Sequence, residues 1–147
     1  MTKQGYTNII FLDGEELRKR LDRKYGYTPS ERFAVFENII RVVNECHDEG
    51  NAVIVSTISH KKVMREIARE KCKNFIEVFL DCPAEICAKR DYKDNYRKAY
   101  AGNLDNFIGV TEPYEKSDNP DLIINTALLN AEECEKKLYK KVIDSLE

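Results

Sequence analysis

Four short apolar runs decide what this chain can fold into: Ile9-Ile10-Phe11-Leu12, Ala52-Val53-Ile54-Val55, Phe75-Ile76-Glu77-Val78-Phe79-Leu80 and Leu122-Ile123-Ile124. Each is rich in β-branched residues and bounded by turn formers, the pattern of a strand. Nearly continuous apolarity implies burial on both faces, and the stretches between the runs have helical periodicity. The order predicts an α/β fold in which a parallel sheet is flanked by helices.

The longest helix should begin at Thr28-Pro29-Ser30-Glu31, where Thr28 can cap, Pro29 occupies the first helical position and Glu31 can reach back in a capping box. Phe33, Phe36, Ile40 and Val43 then recur on one face, and Gly50 stops the helix. Further helices are expected near Gly14 to Lys24, Lys61 to Lys71, Pro83 to Lys89 and Ala131 to Leu146. With 147 residues, 42% of them hydrophobic, the chain has the size of one domain spanning residues 1–147. No repeat or linker interrupts it.

Twenty-four Lys and Arg against 26 Asp and Glu give a formal charge of −2, so no global field draws the chain to nucleic acid or to an anionic membrane. Any anion site must be built from local cations. No apolar run reaches a membrane span and no signal-peptide core follows Met1, so a cytoplasmic location is expected. The five cysteines are odd in number and lack a C-x-x-C pair, which favours reduced thiols over a disulfide framework or a zinc knuckle. His47 and His60 have no metal-ligand spacing.

Polar residues close every run: Asp13, then Ser56 to Ser59, then Asp81, then Asn125-Thr126. Ligands of open parallel sheets bind beyond the carboxyl ends of the strands, so these residues should line the site. Asp13 and Asp81 equally suit capping of the helices that follow them. In LDGEELRKRL, Leu12 to Leu21, Asp13 and Glu15 are placed to hold magnesium-bound water or to accept a proton from an attacking hydroxyl, with Arg18 one turn onward. Acidic residues also favour first helical turns for dipole reasons, and that alternative stays open.

Between Arg90 and Thr126, RDYKDNYRKAYAGNLDNFIGVTEPYEKSDNPDLIINT interleaves cations, aromatics and glycines, the composition of an anion-binding lid covering about residues 90–114. Arg90, Arg97 and Lys98 suit charge neutralisation, Gly102 and Gly109 suit hinges, and Tyr96, Tyr100 and Phe107 suit base stacking. Arg97 and Lys98 also read as solvated helix charges.

The order LDGEELR, YGYTPSER, VIVSTIS and then this lid resembles the adenosine-5'-phosphosulfate (APS) kinase family over nearly the whole chain. The resemblance implies a P-loop nucleoside-kinase-like fold, ATP and Mg2+ as cofactors, a small-molecule nucleotide as substrate, and leaves a homodimer open. It implies catalytic roles for Asp13, Glu15, Ser59 and Lys98. Acceptor contacts fall on Arg18, Tyr27, Arg32, Ile58 and Phe107, the last as a base-stacking aromatic, and Arg90 falls on a cofactor contact. Phosphoryl transfer needs such groups because its transition state spreads negative charge over the phosphoryl oxygens.

This sequence departs from the family pattern on the acceptor side. The second Asp of Leu-Asp-Gly-Asp is Glu15, a Phe is Tyr27, a Pro after Phe-Ile-Ser is His60 and a lid Arg is Tyr100. An Asn expected three residues after Arg32 is Val35, with Asn38 nearby. Two other readings follow: a kinase for a different nucleotide, as in the capsule-associated cytidine diphosphoramidate kinases, or a non-catalytic nucleotide-binding protein derived from this fold.

No G-x-x-x-x-G-K-[ST] string occurs in these residues, whereas the family carries that loop before Leu-Asp-Gly-Asp. Met1-Thr2-Lys3-Gln4-Gly5-Tyr6 resembles the tail of the helix that follows the loop. The expectation is an N-terminally truncated kinase fold that lacks a central strand between the runs ending at Val55 and Leu80, either a fragment or a fold in which the flanking strands pair directly. Little or no ATP turnover is expected from the chain as written. The reading frame immediately upstream of Met1 should encode a glycine-rich loop; a stop codon directly before Met1 would contradict this.

Overall fold

The computed structural model describes residues 8–145, and the expectations for Met1 to Tyr6 and for a last helix reaching Leu146 lie outside them. The chain divides into two compact units, residues 1–75 and 76–147.

In the first unit, β1 (Ile9–Asp13) is followed by α1 (Gly14–Lys19), α2 (Pro29–Asp48), β2 (Ala52–Ser56) and α3 (Lys62–Lys71). The two strands pair in parallel, from Ile9 beside Ala52 to Asp13 beside Ser56. Helix α1 is shorter than its expected end at Lys24 because the chain leaves the helix at Arg20, whose N–H bonds back to the Leu17 carbonyl. The start of α2 is as the sequence predicts: the Thr28 side chain accepts the Glu31 N–H, and the Glu31 carboxylate returns to the Thr28 backbone. Gly50, with φ of +85°, lies just past its end.

One face of α2 makes the core of this unit. Phe36 and Ile40 pack with Met64 and Ala68 of α3, bordered by Phe33, Ile67, Cys72 and Phe75. Val35 and Ile39 are also buried, so the apolar stripe is wider than the predicted row of Phe33, Phe36, Ile40 and Val43.

The second unit runs β3 (Val78–Asp81), α4 (Ala84–Lys89), α5 (Asn95–Tyr100), β4 (Leu122–Asn125) and α6 (Ala131–Asp144). Here too the strands are parallel neighbours, with Asp81 beside Asn125. The strand expected from Phe75 begins only at Val78; the Glu77 N–H is taken by the Asp121 carboxylate at 2.8 Å rather than by a strand partner. Helix α6 starts with a second capping box, Asn130 with Glu133.

The parallel pairing and flanking helices agree with the sequence, but burial on both strand faces does not. Phe11 and its ladder neighbour Ile54 are 63% and 40% exposed, and Leu80 and Ile123 are 60% and 55% exposed. Among the described residues each unit holds one two-stranded parallel sheet, β1 with β2 and β3 with β4. Helices α1 and α2 pack against β1 and β2, and α6 against β4, which leaves apolar strand residues uncovered within each unit.

The capping box has a pH signature. Glu31 accepts from the Thr28 hydroxyl at 2.6 Å and from the Gly26 and Thr28 N–H groups at 2.8 and 3.2 Å, and these bonds hold its carboxyl below the ordinary value of 4.5, the Thr28 hydroxyl contributing most. A depressed folded-state pKa stabilises the fold above the unfolded value and is lost as pH falls through the folded one. Glu31→Gln should therefore lower the melting temperature at pH 7, and thermal scans at descending pH should show the gap to the parent chain closing below about pH 4.5.

Candidate functional site

The strand-to-helix turn after β1 is built by Asp13 and Gly14 together. Asp13 Oδ1 accepts the Glu15 and Glu16 N–H groups at 2.9 and 3.0 Å, capping α1. A side chain at Gly14 would sit 3.1 Å from the Ser56 carbonyl oxygen and 3.2 Å from the Thr57 hydroxyl, so glycine is what lets α1 start against the end of β2. The Asp13 carboxylate thus stands beside Ser56, with one oxygen already committed to the helix. Glu15 is exposed and lies 3.7 Å from the Lys19 ammonium.

Arg18, Tyr27 and Arg32 come together. Both guanidinium groups lie over the Tyr27 ring, at 4.5 and 5.1 Å from its centroid, within cation–π range. Arg18 Nη1 also donates to the Tyr25 and Gly26 carbonyls, and Arg32 Nε donates to the Tyr27 carbonyl at 3.0 Å. Glu31 fixes the same loop from below: a Cβ on Gly26 would lie 2.6 Å from its carboxylate. The result is a two-arginine bracket around an aromatic ring that is itself 52% exposed.

The Asn-position question has a plain answer: Val35 is a 4% exposed core residue, and the Asn38 amide donates to the Ala34 carbonyl at 2.9 Å within α2. Val35 offers no polar contact, and the Asn38 donor is engaged by its own helix.

Ser59 follows β2 in the left-handed region, with φ of +39°, unusual for a residue with a side chain. It is held there by Arg65 of α3, a 7% exposed arginine whose Nη1 donates to the Ser59 carbonyl. Ile58, just before it, is 55% exposed, while His60, just after it, is 2% exposed and anchors the loop in the interior. Arg65 was not among the residues singled out from sequence. Its position between Met64 and Ala68, on the buried face of α3, is the signal that marks it.

In the second unit, Asp81 does not cap the next helix. Pro83 takes the cap position without a side-chain bond, and the Asp81 carboxylate pairs with Lys116 at 3.6 Å. Lys116 also sits over the Phe79 ring, which stacks on Tyr114 with centroids 5.6 Å apart. Arg90 donates from Nη2 to the Thr126 carbonyl at 3.0 Å, tying the base of the lid to the end of β4.

Within the lid, Lys98 and Arg97 are exposed on α5, with Arg97 3.0 Å from the Asp94 carboxylate. The three aromatics expected as a stacking surface divide. Tyr96 packs edge-on against Phe107 at 4.9 Å and tilts against Tyr100 at 6.4 Å, so it is the internal pillar of the lid. Burial and a hydrogen bond with the Cys87 thiol push its hydroxyl up to about 12. Phe107 and Tyr100 flank it, and Tyr100 is 60% exposed. Gly102 and Gly109, both after α5, have φ of +73° and +93°, the left-handed region that glycine adopts freely.

Residues 1–125 match the family model for adenylylsulphate kinase. The chain is 37% identical over 126 residues to the adenylyl-sulfate kinase of Synechococcus sp. (strain JA-3-3Ab), covering 86% of this chain and 72% of that one. It is 42% identical over 121 residues to the bifunctional enzyme NodQ of Rhizobium tropici, which spans 81% of this chain but only 19% of NodQ. Among solved structures, the Mycobacterium tuberculosis APS kinase CysC in complex with AMPPNP and APS superposes with a TM-score of 0.83 at 32% identity, over 99% of this chain and 83% of that one.

The buried Arg65 gives the site its clearest mechanical test. Replacing it by Met leaves the Ser59 carbonyl without its charged donor while preserving much of the packing volume. Urea denaturation of Arg65→Met should show a loss of about 1.5–3 kcal/mol, the range for a hydrogen bond to a charged group.

Proposed function

The chain belongs to the adenylylsulphate kinase family, and from that membership we propose that it supplies the acceptor side and the lid of a phosphotransferase that moves the γ-phosphoryl group of ATP to the ribose 3'-hydroxyl of adenosine-5'-phosphosulfate. The observation that carries the proposal is the bracket of Arg18 and Arg32 around Tyr27. An acceptor that carries both a flat base and a charged sulfate needs an aromatic face and bidentate donors side by side, and arginine supplies those donors in a rigid fork. Binding would draw the two guanidinium groups from the ring and loop carbonyls toward the anion.

Further groups close or follow β1 and β2, or lie in the segment from Arg90 to Phe107. Asp13, with its second oxygen available beside Ser56, is suited to orient the acceptor hydroxyl, and Glu15 to hold a water nearby. Ser59, presented by Arg65, offers a hydroxyl at the close of β2. Phe107 offers a base-stacking face, while Lys98 and Arg90 offer positive charge for phosphate.

The donor side does not fit as well. A triphosphate needs a loop of backbone N–H groups with a lysine, and the 147 residues contain no such string. Among the described residues no three His, Cys, Asp or Glu side chains gather to hold a metal ion. No step through ATP or magnesium is therefore derived from the residues of this chain.

A second reading has its own support. Five departures from the family pattern, Glu15, Tyr27, Val35, His60 and Tyr100, fall at positions read as the acceptor side, and the Tyr27 hydroxyl adds a polar group where a phenyl ring would be purely apolar. A related nucleotide, such as a cytidine diphosphate derivative, is the rival acceptor.

Isothermal titration calorimetry separates these readings. Adenosine-5'-phosphosulfate should bind the chain, ATP alone should not, and Arg32→Ala should weaken acceptor binding about 10- to 100-fold, the range for losing one charge-assisted contact. Binding of a cytidine nucleotide without adenosine-5'-phosphosulfate would support the rival acceptor. Tight ATP binding would show that donor recognition does not depend on the missing string.

A further inference from the structure

The Arg90-Asp91 pair heads the lid, and its two side chains do different work. Arg90 turns back to the Thr126 carbonyl at the end of β4. Asp91 turns forward. Its Oδ1 accepts the Asn95 N–H at 2.9 Å, and its Oδ2 accepts the Tyr96 and Arg97 N–H groups at 2.8 and 3.3 Å. These are the first three amides of α5, which have no carbonyl partner within their own helix.

The residue at the ordinary cap position cannot do this. Asp94 sits in the left-handed region with φ of +57° and makes no side-chain bond to the helix start. Its carboxylate faces Arg97 instead, and its N–H donates to the Asp91 carbonyl at 3.4 Å, closing the turn. One carboxylate three residues upstream thus replaces the local cap.

We propose that Asp91 is the positioning residue of the lid: by fixing where α5 begins, it sets where Arg97 and Lys98 present their charge. A six-residue helix does not hold together on its own propensity, so its start must be imposed from outside. Asp91 imposes it through three charge-assisted bonds, in the place where negative charge also meets the positive end of the helix. The far side of α5 has a separate tie, through the Tyr96 ring on Phe107. Loss of Asp91 should accordingly loosen the start of α5 and leave its aromatic contact in place. The effect on ligand binding rests on the reading that Lys98 serves a nucleotide phosphate; the effect on the helix does not.

The test uses the full chain with Asp91→Ala, Asp91→Asn and Asp94→Ala. Amide hydrogen exchange at Asn95, Tyr96 and Arg97 should accelerate at least about tenfold in Asp91→Ala and less in Asp91→Asn, which keeps one carbonyl acceptor, while α6 amides stay unchanged. Asp94→Ala should leave those three amides protected. Unchanged exchange in Asp91→Ala, or greater loss in Asp94→Ala, overturns the proposal; if Asp91→Ala fails to fold, the Asn variant decides by the same criterion. Calorimetry with adenosine-5'-phosphosulfate and with ATP adds the functional arm. For the nucleotide the parent chain binds, Asp91→Ala and Lys98→Ala should each weaken affinity, and the double variant should be no weaker than Lys98→Ala alone, because one acts through the other. Full additivity overturns the positioning role. If the parent binds neither nucleotide, the acceptor reading fails and hydrogen exchange alone decides the role of Asp91.

Discussion

The parallel ladder between β1 and β2 is the constraint on which the first unit depends. Because Asp13 registers with Ser56, the carboxylate and the following β2 loop must share one end of the strands. Gly14 then allows α1 to begin in contact with that end, since any Cβ would press on the Ser56 carbonyl. A slip of one residue would send Asp13 to the opposite face and replace it with Leu12 or Gly14. The placement of Asp13 beside the end of β2 is thus a consequence of register first and of side-chain chemistry second.

Two polar anchors translate that register into a shaped site. Glu31 couples the start of α2 to the Gly26 loop, so the helix that builds the core also holds the turn that leads into Tyr27. Arg65 couples α3 to the Ser59 loop in the same way. Both anchors spend a charge on holding backbone, and both lie on helices whose other residues, Phe36, Ile40, Met64 and Ala68, form one cluster. Packing and site geometry are therefore linked: a disturbance between α2 and α3 moves both loops.

Much of this was legible in the sequence because it is local. The Thr28 to Glu31 capping box, the Gly50 stop, the four strand runs and the Asp13 turn each depend on neighbours within a few residues. What sequence reading missed depends on partners brought together by folding or by an unusual turn. Arg65 reads as one more surface cation until α3 is seen to bury it. Asp81 reads as a cap until Lys116, 35 positions away in the sequence, takes its carboxylate. Tyr96 has the composition of a stacking residue, yet the lid uses it internally. Burial of both strand faces was inferred from apolarity alone, and apolarity cannot say which covering elements accompany the strands.

The division of labour within the Arg90-Asp91 pair bears on how lids of this composition work. The cations of α5 are exposed rather than packed into a core, yet the helix that carries them has a defined start. Tyr96 supplies a compact interior and Asp91 a fixed start, which leaves the exposed Lys98 and Arg97 as the parts in solvent. Positive φ at Gly102 and Gly109 places permissive backbone on the C-terminal side of α5, opposite the end that Asp91 holds. An imposed start at one end and permissive backbone at the other stand in for the intrinsic stability that a six-residue helix lacks.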